Sequence, residues 1–308
     1  MKLSLSTNWC CRRIETGEEI AETALALGFD ELELGFHTTQ AQADGFRRSL
    51  DRIPVGSVHA FCPVPISAPQ GYPELYSLAS LDEDQRAIAR FHVLKNVAFA
   101  ADMGADTVVL HAGRVPFSTF LHRRFSSHDL RDALLREEKK TDAPRYGRLL
   151  ARARKVRAER GARMLDVFRG EIAALVPELE KAGVALALEN MPYLEGFPDE
   201  GEMAKLAEEF RGAPVKGWFD TGHDRVRLRH GWTADSWFRT AGAETFAGMH
   251  LNDVEDLYDE HKAPGEGKVD FAAMKEFARA VGHVVFEPCG AVSRESLEKS
   301  VAFIRSIW

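Results

Sequence analysis

The sequence predicts an α/β fold of the (β/α)8 barrel type, and three features carry that expectation. Eight short apolar runs alternate with longer helical patterns from one end of the chain to the other. Several of the runs are almost continuously apolar, as strands covered on both faces must be. The length of 308 residues suits one barrel, which takes about 250 residues plus insertions. The candidate strands are Leu3–Thr7, Glu31–Leu34, Pro54–His59, Thr107–His111, Val184–Glu189, Lys216–Asp220, Phe246–His250 and His283–Glu287. Helical periodicity covers Glu18–Leu27, Glu83–Met103, Arg163–Ala182, Glu202–Phe210 and Phe271–Ala280. Gly28, Gly104 and Gly183 follow helix ends, where a left-handed cap residue is favoured. Alternation of this kind implies parallel strands joined by crossover helices, and eight repeats favour closure over an open sheet. No G-x-G-x-x-G follows any run, so the phosphate loop of a dinucleotide-binding sheet is missing and no nucleotide cofactor is expected.

One stretch breaks the spacing. Strands four and five are separated by Ala112–Gly183, far more than one helix requires. The chain therefore reads as a single domain over 1–308 with a long basic helical insertion after strand four, at about 115–165. From Arg131 to Arg163 the segment is dense in Arg and Lys, and aromatics are few, with Phe117, Phe120, Phe125 and Tyr146 the ones present between Ala112 and Arg163. A solvated helical hairpin or an oligomer arm accounts for it. A lid supplying cations to an anionic substrate, or a nucleic-acid contact, are the functional readings. A stacking platform for single strands is poorly supported.

Composition narrows the class further. The formal net charge of −7 argues against a whole-protein nucleic-acid scaffold. Cys10, Cys11, Cys62 and Cys289 contain no C-x-x-C pair and form neither a disulfide framework nor a thiolate zinc site in a chain this long. They read as buried or inert thiols. The opening MKLSLSTNW lacks the apolar stretch of a signal peptide, and no run of about 18 apolar residues exists. A cytoplasmic protein without membrane association is expected.

The chemistry is concentrated where the strands end. Catalytic groups of such barrels sit at the carboxyl ends of strands and in the following loops. Strand three ends at His59, strand four at His111, strand five at Glu189, strand six at Asp220 followed by His223, and strand seven at His250 followed by Asp253. The loop after strand seven adds Asp259 and His261, and strand eight ends at Glu287. A lone strand-end histidine is more often structural than a ligand, and Asp220 before a turn fits a helix N-cap. Glu189 and Glu287 beside apolar strand residues, however, are costly to bury without a cation or hydrogen bonds. Six successive strand ends of this kind point to a divalent metal. Carboxylate and imidazole donors without thiolates suit Mn²⁺, Co²⁺, Mg²⁺ or Zn²⁺. His37, His92, His122, His128, His230 and His283 lack this placement and read as surface or structural residues.

The phrases VVLHAG, LALENMP, FDTGH, HLND and D-x-H-x-x-P-G-E-G-x-x-D-F, in this order, resemble the xylose-isomerase-like TIM-barrel superfamily. That superfamily includes sugar isomerases and epimerases and the endonuclease IV group of DNA-repair enzymes. For the sugar branch, the resemblance implies one metal held by Glu189, Asp220, His250 and Glu287. Glu189 and Glu287 would act as the acid–base pair, and His223 would hydrogen-bond a substrate oxygen. Proton transfer by two carboxylates through a metal-stabilised enediolate then gives epimerisation, or isomerisation if the proton returns to the neighbouring carbon. For the endonuclease branch, the resemblance implies three zinc ions shared by these residues together with His59, His111, His223, Asp259 and His261, cleaving abasic DNA.

Several details favour the sugar branch. The loop DTGHDRVRLRHG lacks the small-residue and glycine stretch of the nucleases, and ENMP and KAPGEGKVDF resemble the isomerases. The epimerases of free ketohexoses carry an arginine after the strand-seven histidine, where this chain has Leu251, Asn252 and Asp253. Lyase or dehydratase chemistry on keto-sugars, and a non-catalytic sugar-binding role, remain as alternatives. The expected partner is a small carbohydrate, free or phosphorylated, and a homo-oligomer is compatible with the sequence. Asn8, Arg114, Asn190 and Trp218 are candidate substrate contacts, with Trp9, Phe36, Phe61 and Met191 as candidate apolar walls.

Overall fold

Eight parallel strands close into a barrel: β1 (Ser4–Ser6), β2 (Glu31–Leu34), β3 (Val55–His59), β4 (Thr107–Leu110), β5 (Ala185–Glu189), β6 (Val215–Asp220), β7 (Phe246–Leu251) and β8 (His283–Phe286). Each pairs with its sequence neighbours, and β8 closes on β1 through Ser4–Val285 and Leu5–Phe286. The computed structural model describes residues 1–117, 125–140 and 145–308. The expected strands are all present, shifted by a residue or so at their ends. Helices α1 (Gly17–Ala26), α2 (Gln40–Arg47), α3 (Glu83–Asp102), α4 (Ser127–Glu138), α5 (Tyr146–Ala182), α6 (Glu200–Glu209), α7 (Thr221–Arg229), α8 (Trp237–Thr240), α9 (Lys275–Ala280) and α10 (Arg294–Ile307) occupy the connections. Among the described residues no helix is long and apolar enough to cross a membrane.

Strand alternation divides the apolar residues into two cores. Val108, Leu110, Leu186, Leu188 and Phe219 face outward and join the helix side chains Val93, Val97, Phe168, Ile172 and Leu206 in the main core. Their in-between neighbours Val109, Ala187 and Trp218 face inward and meet Val285 in a small cluster filling the barrel. Trp218 fits there because Gly248 lies against it: a β-carbon at that glycine would come within 2.5 Å of the indole. Gly28, Gly104 and Gly183 take φ of +84°, +76° and +66°, the left-handed caps expected after α1, α3 and α5.

Helix α5 starts at Tyr146, well before the expected Arg163. The added segment is rich in Ala, Arg and Leu, strong helix formers, and it buries Ala153, Arg157 and Gly161 in line with Met164, Leu165 and Phe168. Tyr146 and Ala153 join Leu130 and Ala133 of α4 in a second apolar cluster against Leu194, Val226, Trp232 and Val254. Part of the basic character of this segment is therefore engaged internally. The buried Arg157 guanidinium donates to Glu202, to Leu194 O and to Gly196 O, and Arg154 donates to Gly231 O. Phe120 and His122 lie outside the described residues. The four cysteines are free, and burial pushes the thiols of Cys10 and Cys11 up to about 12 and about 11.

Candidate metal centre

At the carboxyl mouth of the barrel the strand ends bring their ionisable side chains together. His59, Glu189, Asp220 and His250 lie at the ends of β3, β5, β6 and β7, while His111 and Glu287 immediately follow β4 and β8. A register shift between Gly217 and Trp218 sets Asp220 directly opposite His250. His223 sits in the first turn of α7, and Asp259 and His261 come from the loop after β7. Three groups of donor atoms result, each with its atoms within 4.8 Å of one another: Glu189, Asp220, His250 and Glu287; His59, His111 and Glu189; and Asp220, His223 and His261. Glu189 and Asp220 each belong to two groups.

Hydrogen bonds orient most of these donors. The N-cap reading of Asp220 holds alongside its place in the cluster: Oδ1 accepts His223 N–H at 2.7 Å and Oδ2 accepts Asn252 Nδ2–H at 2.6 Å. A carbonyl can only accept, so Nδ1 carries the proton in His59 (Ala60 O, 3.0 Å), His223 (Asn190 O, 2.7 Å) and His261 (Glu287 O, 2.8 Å). Their Nε2 atoms face the carboxylates of Glu189, Asp259 and Asp259 respectively. His250 is reversed, with Nδ1 at 3.3 Å from Glu189 and 3.2 Å from Glu287. Imidazoles held by their outer nitrogen, with the inner nitrogen turned toward carboxylates, form a donor set that fits a divalent ion of the nitrogen- and oxygen-binding kind.

The charges point the same way. Burial works to raise Glu189, but the His250 and His111 charges hold it well below the usual carboxylate range. Burial raises Asp220 despite His223 and His261. For His111, burial is outweighed by Glu189 and Glu74, lifting it to about 9; His223 reaches about 9 against burial through Asp220 and Asp259. Asp259 is held far down, against burial, by His261 and His223. Imidazolium protons thus balance the carboxylates, and a divalent cation would take over that role and displace them.

The cluster floors a cavity of about 330 Å³ lined by Arg12, Phe36, His37, Tyr72, Glu74 and Tyr193 together with His59, His111, Glu189, His223, Asp259, His261 and Glu287. A larger groove of about 780 Å³ runs past Val215, Lys216 and Thr245, at the opposite ends of the strands, away from the cluster.

Several expected contacts take other roles. Trp218 is fully buried in the barrel beneath His250, its ring edge-on at 5.0 Å, and does not line the cavity. The Asn190 amide is locked onto the Asp220 backbone, donating to its carbonyl at 3.1 Å and accepting its N–H at 2.7 Å. Asn8 donates to Glu287 Oε1 at 3.0 Å and accepts from His37 N, so it holds a cluster residue. Arg114 makes a two-pronged pair with Glu74 and lies over the Tyr193 ring at 3.8 Å, behind the cavity wall. Of the proposed apolar walls, Phe36 lines the cavity, whereas Trp9, Phe61 and Met191 are buried elsewhere. His37, read as surface or structural, lines it too. Asp253 turns away from the cluster and accepts from Val254, Gly265, Gly267 and Val269 N–H at 2.8–3.0 Å, tying down the loop that carries Asp259 and His261.

Glu33, Glu74, Tyr193 and Asn252 were not anticipated. Glu33 did leave a signal: in ELEL the two leucines take the outer face, so the glutamates must point inward. Glu74 and Tyr193 lie in irregular loops without any periodicity to reveal them.

Solved structures of this shape span the whole chain. The 3-keto-D-glucoside 4-epimerase YcjR from E. coli is 15% identical, with a TM-score of 0.68 and 99% of each chain covered. A D-tagatose 3-epimerase-like protein is 18% identical, with a TM-score of 0.67 over 100% of this chain and 97% of that one. The TTHB071 protein of Thermus thermophilus, soaked with ZnCl2, is 23% identical, with a TM-score of 0.61 over 100% and 98%. No curated protein matches the sequence. The family model described as xylose isomerase-like TIM barrel matches residues 21–307, and with the closed eight-stranded barrel it establishes that the chain belongs to the xylose isomerase-like TIM-barrel family.

Proposed function

We propose that the chain is a divalent-metal-dependent isomerase or epimerase of a sugar or related polyol. The observation that carries this reading is the convergence of Glu189, ending β5, and Glu287, just after the non-adjacent β8, within 3.3 and 3.2 Å of the same nitrogen of His250. Asp220 and His250 complete the donor set with them. A divalent ion held there would supply a Lewis acid for a substrate carbonyl oxygen. Glu189, kept ionised by its histidines, is suited to remove a carbon-bound proton beside that carbonyl. Glu287, held by Asn8, is suited to return a proton from the other side. Return to the same carbon inverts it; return to its neighbour exchanges aldose and ketose. His223 is suited to hydrogen-bond a substrate oxygen, and Phe36, Tyr72 and Tyr193 give the cavity apolar faces of the kind sugars pack against. The sugar epimerases among the structural neighbours support the substrate class.

A second reading, a multinuclear zinc phosphodiesterase, is favoured by one specific observation. The groups His59–His111–Glu189 and Asp220–His223–His261 flank the central four, so donors for more than one ion are at hand. The test is deuterium incorporation. Metal-loaded protein is incubated in D₂O with ketohexoses, their phosphates and 3-keto-glucosides, and exchange beside the carbonyl is read by NMR. Exchange that disappears in Glu189→Gln and Glu287→Gln is expected. Exchange that persists in both variants, or nicking of abasic DNA without any sugar exchange, overturns the epimerase reading.

A further inference from the structure

Below the central donor group lies a carboxylate that the proposed chemistry does not use. Glu33 of β2 is fully buried inside the barrel. Its position depends on a break in strand register. Leu32 pairs with Val55, but the next pair is Glu33 with Ser57 rather than with Gly56. Irregularities of this kind re-aim a side chain. Here Glu33 is brought beside Ser57, whose hydroxyl donates to Glu33 Oε2 at 2.9 Å. Both carboxylate oxygens then stand 3.1 Å from His250 Nε2. The remaining nitrogen, Nδ1, faces Glu189, Glu287 and Asp220 at 3.3, 3.2 and 3.8 Å. The ring is held between His59, stacked at 5.7 Å, and the edge of Trp218.

This arrangement is distinctive within the cluster. His59, His223 and His261 give their outer nitrogen to neutral backbone carbonyls, and the outer nitrogen of His111 has Glu74 only at 3.7 Å. His250 has a full carboxylate, gripping through both oxygens. Among the described residues no Lys or Arg pairs with Glu33; its hydrogen-bond partners are His250 and Ser57. A buried, uncompensated carboxylate costs stability unless it is hydrogen-bonded and balanced by a cation, and the route to a cation here runs through His250.

We propose that Glu33 is a positioning residue that makes the Glu189–Asp220–His250–Glu287 group the tightest metal site of the cluster. It does so by keeping the His250 proton on Nε2, which leaves Nδ1 as a lone pair, and by adding negative charge behind that donor. The inference rests on the reading that this group holds a divalent ion. Carboxylates placed behind a metal-binding histidine raise its basicity, and losing one costs about 10- to 100-fold in affinity. In the flanking groups His59, His223 and His261 lean on carbonyls and His111 has Glu74 only at 3.7 Å, so none has a carboxylate within hydrogen-bond reach of its outer nitrogen.

The test is a zinc titration against a chromophoric chelator in wild type, Glu33→Gln and Ser57→Ala. Histidine ring ¹⁵N spectra of the zinc-loaded proteins, and thermal melts without metal, accompany it. In Glu33→Gln the tightest equivalent is expected to weaken about 10- to 100-fold, while weaker equivalents stay in place and the His250 Nε2–H signal broadens or shifts. Ser57→Ala, which removes one hydrogen bond to Glu33, is expected to weaken the same equivalent by a smaller factor, and it carries the test if Glu33→Gln does not fold. Unchanged tightest affinity with an unchanged His250 signal in the folded variants overturns the role of Glu33 while leaving the metal reading intact. A wild-type protein that takes up no zinc overturns the metal reading itself, and the role of Glu33 falls with it.

Discussion

Replacing Arg157 by methionine tests whether the basic segment of α5 is built into the fold. The guanidinium, 6% exposed, donates to both oxygens of Glu202 at 2.7 Å, to Gly196 O at 2.7 Å and to Leu194 O at 3.1 Å. It also pairs with Asp199 at 3.2 Å, a carboxylate 30% exposed and so able to recover water. Methionine keeps the apolar stem but leaves Glu202, 9% exposed, with the Asp199 N–H as its remaining donor. Removing one partner of a buried pair costs about 3–5 kcal/mol because the other charge stays buried. At about 2 °C per kcal/mol for a large domain, the melting temperature should fall by roughly 6–10 °C. Urea unfolding of Arg157→Met, with Arg157→Met/Glu202→Gln as the second arm of the comparison, measures it. The double variant should regain part of the loss, since it no longer buries an unpaired carboxylate. A loss below about 1 kcal/mol, the value of a surface pair, would refute the reasoning and return Arg157 to the cations open to an external anion.

Other perturbations have equally definite outcomes. Asp224 is raised by burial to about 6, against the donations of Ser236 and Trp237 N–H. Between about pH 4 and pH 6 the native state keeps a proton that the unfolded chain has lost, so stability falls as pH rises through that window, by about 3 kcal/mol in all. Asp224→Asn should lack that fall, and parallel pH profiles of unfolding for the two proteins would contradict it. Gly267→Ala would place a β-carbon 2.4 Å from Asp253 Oδ1 and 2.6 Å from Val254 O, displacing the loop that carries Asp259 and His261. A loss of about 1–3 kcal/mol and faster protease cleavage within 254–269 are expected, and wild-type resistance would count against the loop-anchoring role of Asp253.

The barrel was readable because each part of its signal is local. Runs such as TVVL and ALALE put branched and apolar residues on both faces, and the glycines after α1, α3 and α5 mark where helices must stop. The cluster was readable because parallel strands in a barrel end together, so His59, His111, Glu189, Asp220, His250 and Glu287 had to converge if the strands closed. The two-residue period explains where Trp218 and Asn190 lie instead. Trp218 stands two residues before Asp220 and shares its inward face one layer lower, inside the barrel rather than at its mouth. Asn190 follows the inward Glu189 and so turns away, toward the Asp220 backbone. The extent of α5 was obscured by its charge, which suggested a solvated segment although Ala153, Arg157 and Gly161 continue the buried stripe of Met164. Glu74 and Tyr193 reach the cavity from loops whose course depends on tertiary contacts alone, such as the Arg114 pair with Glu74.

The proposed function requires the strand-end carboxylates and imidazoles to hold a divalent metal. Elemental mass spectrometry on protein purified without added metal or chelator, then reconstituted separately with Mn²⁺, Co²⁺ and Zn²⁺, tests it directly, with His250→Ala as the paired sample. At least one ion per wild-type chain is expected, lost or sharply reduced in His250→Ala although that variant remains folded. A folded wild-type protein that retains no metal under any of these conditions would contradict it.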